Sequence, residues 1–385
     1  MRKKILAAVS VAILSFSGSA LAEDGVSASE IIFGQTAAFE GSAAALGLGM
    51  KEGILAAFKE VNDAGGVKGR KLVLKHKNDG YEPGKAIDNT KSFINEDRVF
   101  ALIGSVGTPT AKAIEPMASE AKVPLVGAFT GAGFLRAPDK RYVVNVRGTY
   151  AQEAETWVKH LTEDMGAKRI AILYQDDSFG RAGLSGVKAA LDKRNMELAA
   201  EGTYTRNTTA VKSALIAIRR AKPDAIVTVG AYKPVAEFIR TAHKIGVNVP
   251  ILSISFTGSK ALAQDLGSEG AGAIITQVVP FPFDKSLPLV ADYQEALKAL
   301  NPDAEPGFVS LEGYMVGKLT AMALSQVQGD ITRESFIDTL KRVGEFDIGG
   351  VTLKYGDGDN QGMDDVFLTA INSRGSFSAL SNLKR

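Results

Sequence analysis

The stretch GSVGTPTAKAI, residues 104–114, follows the apolar run Val99-Phe100-Ala101-Leu102-Ile103. A buried strand that empties through glycines into a helix start presents unpaired backbone N–H groups and the positive end of the helix dipole to a phosphate or carboxylate. Thr108 followed by Pro109 reads as an N-cap and a first helical residue, which places Gly107 and Thr108 at that end. A nucleotide loop is excluded on spacing: Gly104-x-x-Gly107 is not G-x-G-x-x-G, and no G-x-x-x-x-G-K-[ST] occurs. The stretch is a candidate carboxylate site.

Other residues able to do chemistry are sparse. The three histidines, His76, His160 and His243, lie in polar stretches and read as solvated surface residues. There is no G-x-S-x-G elbow and no H-E-x-x-H pair. Asp357, Asp359, Gln361 and Gly362 in DGDNQGMDD imitate the start of a calcium loop, but Leu368 stands where a bidentate Glu is required. A polar hairpin turn between strands is expected there. Cys is absent, which removes disulfides, thiol nucleophiles, zinc-thiolate sites and a lipidated N-terminal Cys. No cofactor, metal site or catalytic set is expected.

The elements that must position the candidate site are legible as alternating short apolar runs and amphipathic patterns, the signature of βαβ units and parallel sheets. IIFGQTA (31–37), KLVLKHKND (71–79) and VFALIG (99–104) read as strands. ALGLGMKEGILAAFKEVNDAGG (45–66) and PGKAIDNTKSFINED (83–97) read as helices, the first ended by Asn62-Asp63 and the Gly65-Gly66 pair. Residues 99–131 can be laid beside 223–258, each reading strand, turn, helix, Val-Pro, strand and Phe-Thr-Gly. The triplets Phe129-Thr130-Gly131 and Phe256-Thr257-Gly258 thus mark a repeat of a whole lobe. Two open parallel-sheet, Rossmann-like lobes are expected, with a ligand cleft beyond the carboxyl ends of their strands. RYVVNVRG (141–148) and ITQVVPFPF (275–283) fall where the chain would cross between lobes, as candidate hinges.

Met1-Arg2-Lys3-Lys4, an apolar run to Phe16 and Ala20-Leu21-Ala22 read as a signal peptide (1–22) cleaved between Ala22 and Glu23. Export would remove three basic residues and take the formal charge from +2 to −1, which leaves no general basic field for nucleic acid. The remaining length is more than one core usually organises. The expected division is 23–146 with 280–345 in lobe 1, and 147–279 with 346–385 in lobe 2.

NDAGGVKGRKLVL, DGYEPGKAI, the Gly-Ser-Val-Gly-Thr loop, AKVPLVGAFTG, KRIAILYQDDSFGRAG and GEFDIGGVTLKYGDGDNQG together resemble the leucine/isoleucine/valine-binding branch of type I periplasmic solute-binding proteins. The resemblance implies two lobes joined by a three-strand hinge, closing on a small molecule and delivering it to an ABC permease in the inner membrane; the protein is expected to be monomeric, periplasmic and non-enzymatic. It implies that Thr108 holds a ligand carboxylate, that Ala128 supplies a carbonyl and Thr130 a hydroxyl, and that Phe179, Tyr232 and Ser255 close over the ligand from lobe 2. Where leucine binders carry an acid for the ammonium group this chain has Ser255, where they carry a Tyr it has Leu46, and Phe179 replaces a hydroxylated aromatic. A buried ammonium without a carboxylate partner is costly, so these departures describe a more apolar pocket, suited to aromatic acids or lipid-like molecules as well as amino acids. Tyr81 and Tyr150 fall in loops that could reach the cleft rim, and Arg136 is a candidate for a structural ion pair or an anionic ligand. The same closed clamp would serve a sensor presenting its ligand to a membrane receptor.

Overall fold

A computed structural model describes residues 23–384; the expected signal peptide and its cleavage point lie outside the described residues. The chain opens with β1 (Glu30–Ala37), α1 (Ala44–Asp63), β2 (Lys71–Asn78), α2 (Pro83–Asn95), β3 (Ala101–Ile103), α3 (Thr108–Glu120), β4 (Leu125–Val126) and β5 (Val143–Val144). These strands form a parallel sheet in the order β2-β1-β3-β4-β5. The next set is α4 (Tyr150–Glu163), β6 (Ile170–Gln175), α5 (Ser178–Asp192), β7 (Ala200–Tyr204), α6 (Lys212–Arg220), β8 (Ala225–Val229), α7 (Tyr232–Lys244), β9 (Ile251–Ser253), α8 (Ser259–Leu266) and β10 (Ile274–Gln277). Its strand order, β7-β6-β8-β9-β10, repeats that of the first sheet.

The repeat in the sequence is therefore β3-α3-β4 against β8-α7-β9, each at the same place in its sheet. Every residue of β8 is buried, as a strand covered by helices on both faces requires. Helix starts are set locally: Thr149 and Gln152 form a capping box on α4, and the Asp177 carboxylate caps α5 at the Phe179 N–H.

After β10 come α9 (Pro288–Leu300), α10 (Phe308–Ser325) and α11 (Arg333–Val343), which return to the first sheet. Tyr314 of α10 donates to Glu60 of α1, and Phe336 of α11 meets Phe100 edge-on at 5.8 Å. A hairpin, β11 (Glu345–Asp347) and β12 (Thr352–Lys354), follows, and the expected boundary at 345/346 falls within it. The Leu289 N–H donates to Gly349 at 2.9 Å, so this hairpin stays with α9. The chain joins the second sheet only at β13 (Phe367–Ile371), antiparallel to β10, and ends with β14 (Phe377–Leu380).

The chain thus crosses between the sheets three times, after β5, after β10 and before β13. The first and third crossings run side by side: the Asn145 N–H donates to Asn360 at 2.8 Å, Gly362 to Asn145 at 2.9 Å and Met363 to Val146 at 3.1 Å. The DGDNQGMDD segment makes the expected tight polar turn, with Gly356 and Asp359 exchanging hydrogen bonds at 3.0 and 3.2 Å and the Lys354 N–H donating to Gly362 at 2.8 Å, and then runs on as the third crossing, since β12 and β13 on either side of it belong to different sheets. Among the described residues no helix is long and apolar enough to cross a membrane.

Candidate functional site

Beyond the carboxyl ends of the strands, the α3 start and the Phe129-Thr130-Gly131 turn face the α5 start, the Arg206-Asn207 turn and the Ser255-Phe256-Thr257 turn. Thr108 does not cap α3. Gly107 is the N-cap, with φ 110°, and a side chain there would meet the Tyr81 ring at 2.3 Å. The Thr108 hydroxyl is instead 2.7 Å from the Thr130 hydroxyl, both fully buried. The Ala128 carbonyl accepts from the Thr130 N–H at 2.7 Å, which fixes this turn. Tyr150 is not in a loop; it opens α4 from the other lobe, and its phenol lies beside the Thr130 and Thr108 hydroxyls. Burial pushes that phenol up, so it is a neutral donor.

The facing surfaces are in contact. Phe256 lies 5.3 Å from Phe129 and 5.9 Å from Tyr81 between ring centres; Phe179 is 4.5 Å from Phe256 and 5.4 Å from Tyr150. Tyr81, at φ 63°, is buried and accepts from Gln175 Nε2 at 3.2 Å across the seam. At the rim Arg206 bridges Glu82 (2.8 Å) and Asp177 (3.1 Å), and Asn207 donates to Glu82 at 2.7 Å while accepting from Ser42 at 2.7 Å. Tyr232 sets its phenol against the Ala45 backbone, and Leu46, fully buried, faces Gly258. All nine expected site residues, Leu46, Gly107, Thr108, Ala128, Thr130, Tyr150, Phe179, Tyr232 and Ser255, lie on this seam or its edges.

The two triplet glycines act alike. A Cβ at Gly131 would fall 2.7 Å from the Tyr150 nitrogen, and one at Gly258 would fall 2.5 Å from Leu46 Cδ2. Each glycine lets the lobes approach at one mouth of the cleft. A groove of roughly 490 Å³ lies outside Leu46 and Gly258, and one of roughly 630 Å³ outside Gly131 and Tyr150.

Beside the more apolar pocket expected from Leu46, Phe179 and Ser255 lies a buried charge network that the sequence reading did not include. The Ser255 N–H and hydroxyl each donate to Glu153 at 2.7 Å, and Thr276 donates to the same carboxylate. Arg147, fully buried on the first crossing, bonds Ser255 and lies 3.4 Å from Glu153 and 3.6 Å from Glu312. Its guanidinium sits 4.9 Å from the centre of the Phe129 ring and 5.7 Å from that of Tyr150. Burial disfavours the Arg147 charge, and Glu312 and Glu153 more than offset that, so it stays a cation. Burial raises both acids, Glu312 to about 7, with Arg147 opposing. Among the described residues Arg136 makes no ion pair; it donates to Gln361 at 2.9 Å and to the carbonyls of Ala132 and Arg147, tying the crossings together.

Sequence reasoning did not single out Arg147, Glu153 and Glu312. A signal existed for the acids: Glu153 falls on the buried face of α4 with Ala154, Trp157 and Val158, and Glu312 stands between Leu311 and Gly313 in a helix buried over most of its length. Arg147 in NVRG carried none. Among the described residues no group of three or more His, Cys, Asp or Glu side chains is placed to hold a metal ion. Two lobes of matching topology, three crossings and a buried seam of hydroxyls, rings and charges define a hinged binding clamp.

The chain belongs to the periplasmic binding protein family, whose model matches residues 30–376. It is similar to Leu/Ile/Val-binding protein homolog 3 of Brucella melitensis, 27% identical over 312 residues, 79% of this chain and 80% of that protein. Among solved structures, a possible leucine/isoleucine/valine-binding protein of Rhodopirellula baltica is 36% identical, with a TM-score of 0.88, covering 94% of this chain and 98% of that one. A fatty acid ABC transporter substrate-binding protein of Thermomonospora curvata shares the fold, with a TM-score of 0.84 at 21% identity over 93% of each chain. The family is one of solute-binding proteins, not enzymes.

Proposed function

We propose that this chain is the capturing component of an ABC uptake system, closing its lobes on a small organic ligand with an apolar body and presenting it to an inner-membrane permease. After cleavage between Ala22 and Glu23 it would work in the periplasm as a monomer. The observation that carries this reading is the seam itself: Thr108, Thr130 and Tyr150 form a buried hydroxyl cluster beside a wall of Phe129, Phe179 and Phe256 contributed by both lobes. A ligand that touches both walls favours the closed arrangement by its differential affinity, so binding drives the hinge. The curated relatives extend the range of ligands worth testing to leucine, isoleucine and valine.

The test is a thermal-shift screen of ligand-stripped protein against amino acids, aryl acids and fatty acids, followed by small-angle scattering. A ligand at about 100 times its Kd adds roughly 2.7 kcal/mol, and it is expected to reduce the radius of gyration. Turnover of a bound compound, or binding without compaction, would refute the clamp.

A further inference from the structure

We infer that the cleft takes a monoanionic organic acid that lacks an ammonium group, and that Arg147 is the residue that recognises its charge. The inference rests on the clamp reading above and names its substrate class. Among the described residues, three buried donors at or beside the seam make no hydrogen bond: Arg147 Nε, Arg147 Nη1, which has a 3.6 Å ion-pair contact with Glu312, and the Ser105 hydroxyl. The guanidinium and the phenol flank the same ring cluster, and the phenol adjoins the Thr108–Thr130 pair. A carboxylate or similar oxyanion is the ligand group that satisfies several such donors together, and a guanidinium is the side chain best shaped for it.

The acids of the site are already committed. Glu153 accepts two bonds from Ser255 and one from Thr276, and Asp177 accepts from Gln175, the Phe179 N–H and Arg206. Glu312 is the other acid beside Arg147, and the charged groups facing it are Arg147 from the first crossing, Arg136 from the turn after β4 and Glu153 from α4. An ammonium beside Glu312 would also lie beside two arginines.

Charge balance then sets a pH dependence with opposite signs for the two ligand types. With Glu312 protonated, Arg147, Arg136 and Glu153 sum to one positive charge, which an anion neutralises. With Glu312 ionised the sum is zero, and the same anion would leave a buried negative charge. An anion is therefore bound together with a proton, whereas an ammonium is helped by ionised Glu312. Glu312 lies near 7, so strict coupling raises the Kd of an anion about tenfold between pH 6 and pH 8.

The experiment is calorimetric titration of the ligand-stripped protein with matched pairs: 4-methylpentanoate against leucine, 3-phenylpropanoate against phenylalanine, and 3-(4-hydroxyphenyl)propanoate against tyrosine. The acid of at least one pair is expected to bind at least about tenfold more tightly than its amino acid, and to weaken about tenfold from pH 6 to pH 8. Glu312→Gln should hold the Kd near its pH 6 value throughout. Arg147→Gln should lose the acid by about a hundredfold; if that variant does not fold, Glu312→Gln still decides. Tighter binding of the amino acid overturns the anion inference and leaves the clamp standing. Equal binding within every pair, binding of no probe at millimolar concentration, or an acid Kd that ignores pH and Glu312→Gln overturns it as well.

Discussion

Gly258→Ala should act as a wedge in the closed clamp, and its two costs can be separated. Gly258 has φ 84° and ψ 81°, where a Cβ costs about 1–2 kcal/mol in any lobe arrangement. The new methyl would also fall 2.5 Å from Leu46 Cδ2, a side chain of the opposite lobe with no exposed surface to retreat into. Overpacking of this kind costs about 1–3 kcal/mol, and it applies only when the lobes are closed. The first cost should lower the melting temperature of the ligand-free protein. The second should weaken any captured ligand by about 5- to 150-fold and shift the ligand-free lobes toward open, read as a longer distance between spin labels at the exposed positions Lys85 and Thr209. Leu46→Ala in the same chain removes the clashing atom, so the double variant should regain most of the closure and retain the lowered melting temperature. If Gly258→Ala left the label distance unchanged, or if Leu46→Ala failed to restore it, the Leu46–Gly258 approach would not be a closure contact.

Thr108→Val removes one hydroxyl of the buried 2.7 Å pair, and a carboxylate ligand should weaken by about 1–3 kcal/mol in calorimetry; unchanged affinity would take Thr108 out of the site. Burial raises Asp79 to about 6, although the Tyr81 N–H and the Thr36 hydroxyl bond it, so the folded protein holds a proton that the unfolded chain has released above its ordinary carboxyl value near 4. Stability is then highest below about pH 4 for this group and falls by up to about 3 kcal/mol as pH rises to 6. Asp79→Asn should remove that slope from urea titrations, and a wild-type slope in the variant would refute the assignment. At the half-exposed rim, Glu82→Gln should cost closure only about 0.2–1 kcal/mol, and the effect should vanish at about 1 M salt. A larger or salt-insensitive loss in the label experiment would show that Arg206 and Asn207 do more than latch the rim.

The alternation of buried strands and amphipathic helices could be read directly, because burial on both faces demands continuous apolar runs and burial on one demands helical spacing. The expected strands at 31–37 and 71–79 appear within a residue of β1 and β2, and VFALIG narrows to the three residues of β3. The first helix ends at Asp63, with Ala64 as its C-cap, at the Asn62-Asp63 stop expected just before the glycine pair. The repeat was visible for the same reason, since equal places in equal sheets impose equal patterns. The N-cap at Thr108 was misread because a Thr-Pro pair satisfies capping preferences equally well one position later. Gly107 holds a backbone angle open only to glycine, and Tyr81 fills the space that a Cβ there would need.

The sequence by itself determined the alternation of strands and helices, its repetition in two lobes and the glycines that end the Phe-Thr-Gly turns, since each of these is dictated by neighbours along the chain. The tertiary structure alone brought together the buried charges from which recognition is inferred. Arg147 and Glu153 are six positions apart, but Ser255, Thr276 and Glu312 come from elements more than a hundred residues away, and nothing local marks them as partners. A buried charge is tolerated only where opposite charges and donors converge on it. Chain crossings bring that set together, and only the folded protein shows which charges are spent on each other and which donors are left for a ligand.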